Sequence, residues 1–369
     1  MPKAPEDRAT LALPLLRAIR ATLIVIAVIL AGAALWWLSR ILEPFVLAVF
    51  LLITIDGLAR AIRRHIKACP EAVALPTAIA VILATFGLAI WMTADNAADF
   101  AGEATTYTAR INTLLDGIAQ QFGLTVTPTV SSLIRQINPA RYAGLLAEGL
   151  SRFAEATVFT LIYLGFLLAS RRGFGDKIGQ MFPVAAEHRE ARLIFERVRR
   201  GVESYVWVQT VVGVIITAAS AALMFATGLS HIPFWCAIIF LTNYIPAIGA
   251  AIGVLFPAAF GLVEFDGVWR ALILVGGLEA IHFAVSHIIQ PRMQGQSLNL
   301  DPIVILLSLA FWGALWGVVG AFLSTPLAVM AMAILAEFAG TRPLAVLLSS
   351  DGKPYADLEE AAAGAAGAP

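Results

Sequence analysis

Charge is scarce in this chain: 14% of its 369 residues are charged, and 25 acidic side chains cancel 25 basic ones. A chain without net charge has no bulk field to attract nucleic acid or an acidic partner. Cysteine is scarcer still. Cys69 and Cys236 fit no CxxC spacing and stand far apart, so they read as inert small residues rather than a disulfide or a metal site. Enzyme signatures are missing as well, because no HExxH, GxSxG, P-loop or GxGxxG stands in a strand-to-helix context. No catalytic function and no cofactor are expected. Nucleotide-driven pumping is excluded for this chain, and any coupling must come from a gradient.

Apolar sequence is abundant. Hydrophobic residues make up 59% of the chain, the mean hydropathy is +0.83, and several runs approach the roughly 20 residues that cross a bilayer. The expected fold class is all-α: a polytopic membrane protein with about eight transmembrane segments, some of them broken or re-entrant in the second half. Residues 1–20 form a polar head, and three spans follow over 21–94. The first is bounded by Trp36 and Trp37, whose rings favour the membrane interface. It is expected to be retained rather than cleaved as a signal peptide, since a second span follows almost at once.

Residues 95–155 differ in kind. Tyr107, Ile111, Leu114, Ile118 and Phe122 recur at three- and four-residue steps, and Asn138-Pro139 offers a cap and first-turn proline for another helix. A helical extracytoplasmic region is expected there. A fourth span covers 156–170, and a basic cytoplasmic loop covers 171–201. Eight Lys and Arg lie between 171 and 200 against four between 95 and 155, which places the basic loops and the N-terminus inside. That loop offers a surface for anionic lipid heads, although a solvated helical linker is the simpler reading and the one expected. The tail, 339–369, is expected inside and partly disordered where it turns Ala/Gly-rich.

The region 202–338 carries the transport expectation. The apolar stretch from Ile232 to Glu264 is interrupted by Asn243-Tyr244-Ile245-Pro246, Gly249, Gly253 and Pro257. Non-helical backbone within a bilayer has to be buried in protein or face water, because each unpaired amide costs several kcal/mol. An interrupted span is therefore a candidate translocation element. The segment after it holds Glu279, His282 and Ser286 on one helical stripe, with His287 beside them, all costly against lipid. Gln209 lies on the preceding span. After Gln290-Pro291 comes an apolar tract from Ile303 to Phe338, too long for one untilted span and short for two, so either a bent span or a hairpin fits. Its Gly313, Gly317 and Gly320 suit close helix packing or a gate.

Asn243-Tyr244-Ile245-Pro246-Ala247-Ile248-Gly249, Gln290-Pro291-Arg292-Met293-Gln294-Gly295, Leu307-Ser308-Leu309, Trp312-Gly313, Gly317, Gly320 and Thr325-Pro326-Leu327 appear in an order and spacing that resemble the autoinducer-2 exporter (AI-2E) family of bacterial membrane transporters. Members closest in pattern often have Asn at the place of His287 and Glu at that of Gln290. The resemblance implies a homo-oligomer in the bacterial cytoplasmic membrane. Its substrate would be a small polar solute such as autoinducer-2, or it would exchange sodium or lithium for protons.

Two transport readings result. In the first, a secondary exporter, Asn243, Tyr244, Pro246, Gly249, Gly253, Gln209, Glu279, His282, His287, Gln290 and Pro291 line the path, and Glu279 or His282 carries a coupling proton. In the second, a cation/proton antiporter, Glu279 works with Asp301, whose place before Pro302 also suits a helix cap. A non-transporting membrane scaffold is a third reading.

Overall fold

A computed structural model describes residues 6–66, 70–121, 139–181, 185–265, 267–294, 299–338 and 340–353. Among these residues the fold is all-α, with one isolated bridge, Leu300 to Ser349, and no strand. Among the described residues five helices are long and apolar enough to cross a membrane, and shorter apolar pieces accompany them, so the chain is a polytopic membrane protein. Expectations about Lys67, Cys69, Phe122, Asn138, Gly295 and the end of the tail fall outside the described residues.

The helices run through the boundaries drawn from hydropathy. After α1 (Glu6–Trp37) and α2 (Ser39–His65), the third helix, α3 (Glu71–Gln121), continues for 51 residues through the third span and into the mixed-charge region. α4 (Pro139–Met181) likewise carries the fourth span onward into the basic loop. Most of that loop then belongs to α5 (Ala185–Thr227). The reason is local: helix propensity and i,i+4 pairs such as Glu148 with Arg152, and Arg192 and Arg200 with Glu196, persist where hydropathy falls.

The interrupted stretch is a helical hairpin. α6 (Ile232–Thr242) and α7 (Ile248–Glu264) pack against each other around a tip at residues 243–247. At about 1.5 Å per residue, the 11 residues of α6 reach about halfway across a hydrocarbon core. The arms touch where Gly249 meets Thr242 and Gly253 meets Ile239. Trp235 and Phe260 follow with ring centroids 5.4 Å apart. At the base, the Ser230 amide donates to both carboxylate oxygens of Glu264 (3.0 and 3.1 Å). Arg110 of α3 donates to the Glu264 carbonyl, and Tyr107 lies 3.3 Å from His231 Nε2. The extended α3 thus holds the base of this hairpin.

α8 (Val268–Ala284) passes through one π-helical turn, Val285–Ile289, into the short α9 (Gln290–Gln294). The apolar tract that follows is α10 (Pro302–Glu337), which turns back on itself at Trp316 and Gly317, the latter at φ 61°. Its halves pair antiparallel: Ser308 Oγ donates to the Ser324 carbonyl at 2.8 Å, and Gly320 sits against the Trp312 carbonyl. The tract is therefore a second hairpin. Pro257, expected as an interruption, lies inside continuous helix, and so does Pro326.

The two hairpins point in opposite directions. Arg60 of α2 pairs with Glu203 near the start of the α5 apolar run, and Arg197 pairs with Glu337 at the open end of the second hairpin, so these groups share the basic end of the molecule. The tip of the second hairpin reaches Leu35 of α1, to whose carbonyl Trp316 Nε1 donates at 3.4 Å. The first hairpin opens at the other end, beside Thr227, and sends its tip toward Tyr205 and Gln209. α5 stands between them as a shared post, packed on both.

Where the hairpin arms meet, glycine is obligatory. A Cβ on Gly249 would lie 2.1 Å from the Thr242 carbonyl oxygen, and one on Gly320 2.0 Å from that of Trp312. Gly249→Ala and Gly320→Ala are each expected to lower stability by about 1–3 kcal/mol, read as a lower melting temperature of the solubilised protein. Gly276, where an added Cβ meets nothing within 4 Å, takes alanine without loss.

Candidate solute cavity

The tip of the first hairpin has non-helical backbone whose carbonyls need partners. Two side chains of α5, four residues apart and so on one face, supply them. Gln209 Nε2 donates to the Asn243 carbonyl at 2.9 Å, and Tyr205 Oη donates to the Tyr244 carbonyl at 2.9 Å. Asn243 Nδ2 returns a bond to the Gln209 carbonyl at 3.0 Å. Gln290 Nε2 then donates to Gln209 Oε1 at 3.1 Å, tying the end of α8 to the same cluster. Ala247 closes the tip at φ 60°, ψ −47°, a conformation costly for a residue with a Cβ and held here by the surrounding contacts.

Beside this cluster lies a cavity of about 750 Å³. Gln209, Asn243, Pro246, Glu279, His282, His287, Gln290 and Pro291 line it, so eight of the expected path residues meet at one place. The stripe that begins on α8 is the cause: Glu279 and His282 lie one turn apart there, and Ser286 and His287 from the π-helical turn, with Gln290 from the start of α9, reach the same wall. His287 lies stacked on Phe283, with ring centroids 4.3 Å apart. His282 is 5% exposed, and its Nε2 has no hydrogen-bond partner among the described residues. That nitrogen is the ring atom nearest Gly253, so it is buried against the first hairpin while the rest of the ring contributes to the cavity wall.

Three expected path residues lie elsewhere. Gly249 and Gly253 are packing contacts: the first meets Thr242, and the second leaves room for the ring of His282. Only the backbone of Tyr244 serves the tip cluster. Its ring turns away to Phe240 and Phe322, and its hydroxyl lies 2.8 Å from Thr210 Oγ1. It thereby lines a second, apolar crevice of about 790 Å³ between α2, α3, α5 and α6. Asp301, the suggested second carboxylate, is a helix cap, accepting from the Ile303 amide at 2.7 Å. The cavity wall also includes Tyr205, Thr325, Asn299, Ser350 and Asp351, absent from the expected set. Tyr205 was legible as the residue one turn before Gln209. Thr325 arrives on the second hairpin, and Asn299, Ser350 and Asp351 on the segments that flank it, which no periodicity reveals.

A membrane domain with two opposed helical hairpins and a polar cavity at the tip of one of them defines a transporter-class protein. The description of AI-2E family transporters matches residues 23–340. The chain belongs to that family. The AI-2 transport protein TqsA of Escherichia coli is 28% identical over 317 residues, covering 84% of this chain and 90% of that protein. A putative transport protein of Haemophilus influenzae is 27% identical over 334 residues, covering 88% and 93%. The putative transport protein YhhT of Escherichia coli is 34% identical over 166 residues, covering 44% and 46%.

Gln209→Leu is expected to leave the Asn243 carbonyl without its donor and to cost about 1–3 kcal/mol. Amide exchange over residues 243–249 would speed up, and unchanged exchange would mean that other bonds hold the tip.

Proposed function

We propose that the chain is a secondary exporter of a small polar molecule such as autoinducer-2, working by alternating access. The observation that carries this reading is the single cavity in which amide, hydroxyl, imidazole and carboxylate groups from α5, the first hairpin tip, α8 and the second hairpin converge. A hydroxyl-rich solute needs paired donors and acceptors around it rather than one fixed charge. Asn243 and Gln209 supply both kinds, and Glu279 with His282, one turn apart, is the pair that carries a coupling proton. The name of the Escherichia coli relative points the same way. The protein lies in the bacterial cytoplasmic membrane with both termini inside, the orientation the basic loops favour. Additional copies of the chain or lipid cover α1, whose residues 23–30 are exposed apolar side chains.

Sodium or lithium exchange for protons is the second reading, favoured by Glu279 at the cavity wall but weakened by the capping role of Asp301.

In proteoliposomes loaded with autoinducer-2, Asn243→Ala and Glu279→Gln are each expected to slow efflux by about tenfold or more, the loss of one or two polar contacts. Unchanged efflux in both variants overturns the assignment. Proton flux reported by a dye on adding sodium or lithium, without solute efflux, selects the antiporter.

A further inference from the structure

The segment after the second hairpin is fastened back onto its start. α11 (Arg342–Leu348) packs on α10, with Ala345 fully buried. Beyond it the chain pairs with residues 299–301: the Asp301 amide donates to the Leu348 carbonyl at 3.0 Å, and the Ser350 amide to that of Asn299 at 3.1 Å. Asn299, at φ 35°, directs its whole side chain to this strap. Its Nδ2 donates to Asp351 Oδ1 at 2.7 Å and to the Lys353 carbonyl at 2.8 Å, and its Oδ1 accepts from Ser350 Oγ at 2.6 Å. The Lys353 amide adds a second bond to Asp351 Oδ1 at 2.8 Å.

This fastening brings Ser350 and Asp351 to the wall of the solute cavity. The Asn299 amide, aided by the Lys353 backbone, holds the Asp351 carboxyl below the usual carboxylate range, so it is ionised at neutral pH. The described lining carries two carboxylates, Glu279 and Asp351, and two histidines, with no lysine or arginine; the nearest cation is Lys353, on the strap beside Asp351, which offsets part of that negative charge. A transporter built for anions places guanidinium or ammonium groups at such a wall.

We propose that the C-terminal strap completes the solute path and that Asp351, positioned by Asn299, is a specificity-determining residue: with Glu279 it admits uncharged or cationic polar solutes and turns away anions, including phosphorylated or carboxylated forms of a small polyol. The claim deepens the exporter reading and takes its physiological meaning from it, but its electrostatics can be measured without any substrate.

The full-length chain with Cys69→Ser and Cys236→Ala provides the background, and Ser286→Cys places one thiol on the cavity wall. Its modification rates are measured with methanethiosulfonate reagents carrying a trimethylammonium group, a sulfonate group or no charge, each normalised to a free thiol. The cationic reagent is expected to outpace the anionic one. Asp351→Asn should lower that ratio about threefold or more, the effect expected of one lost charge near the thiol. Asn299→Ala should lower it in the same direction, and Asp351→Glu should retain it. The neutral reagent's rate should stay constant throughout. A ratio unchanged by Asp351→Asn overturns the proposal, as does a neutral rate that moves in step with the charged ones, which marks a change of shape. Loss of the exporter reading in the efflux assay would leave these ratios standing, so the two failures are distinguishable.

Discussion

Peptide groups that leave a helix inside a bilayer must find partners within the protein, and this requirement shapes the whole second half of the chain. The tip at residues 243–247 meets it with side chains of a neighbouring helix: Gln209 and Tyr205 donate to the carbonyls of Asn243 and Tyr244. Each bond contributes modestly, but its loss would leave a tip carbonyl that only water in the adjoining cavity could satisfy. α5 is consequently fixed against the tip, and the tip cannot be moved without moving α5 or breaking those bonds.

From that fixed point the rest is packing. The first hairpin closes because glycines at 249 and 253 let one arm, and the ring of His282, approach the backbone. The second closes through Gly320 in the same way and turns at Gly317, whose positive φ suits a residue without a Cβ. Tyr244 and Phe322, with ring centroids 5.5 Å apart, join the first hairpin's tip to the second hairpin's arm. Opposed hairpins on a common post leave a polar space on one side of α5 and an apolar crevice on the other. The same tip residue contributes its ring to the crevice while its neighbours line the cavity.

The candidate site was partly legible because helical periodicity is a local property. Glu279, His282 and Ser286 stand on one stripe in any α-helix, and polar groups so placed in an apolar segment announce a protected face. The Asn243 to Pro246 interruption was equally visible, since proline and asparagine disrupt a span by their own chemistry. Gly249 and Gly253 were conspicuous for the same reason but serve the closure of the hairpin. A glycine in a membrane helix has the same appearance whether it faces a ligand or a neighbouring backbone. Asp301 likewise reads as a carboxylate in sequence and acts as a cap in space.

The sequence by itself determined the class of the protein, the interrupted elements and the polar stripe, because hydropathy, backbone-restricting residues and helical period all act within a few turns. Only the tertiary structure decided that both interruptions are hairpins, that they open toward opposite ends, and that Asn299, Ser350 and Asp351 join Gln209 and Asn243 around one cavity. Those outcomes depend on contacts between residues tens to more than a hundred positions apart, where the geometry of packing, rather than the chemistry of any one stretch, selects the partner.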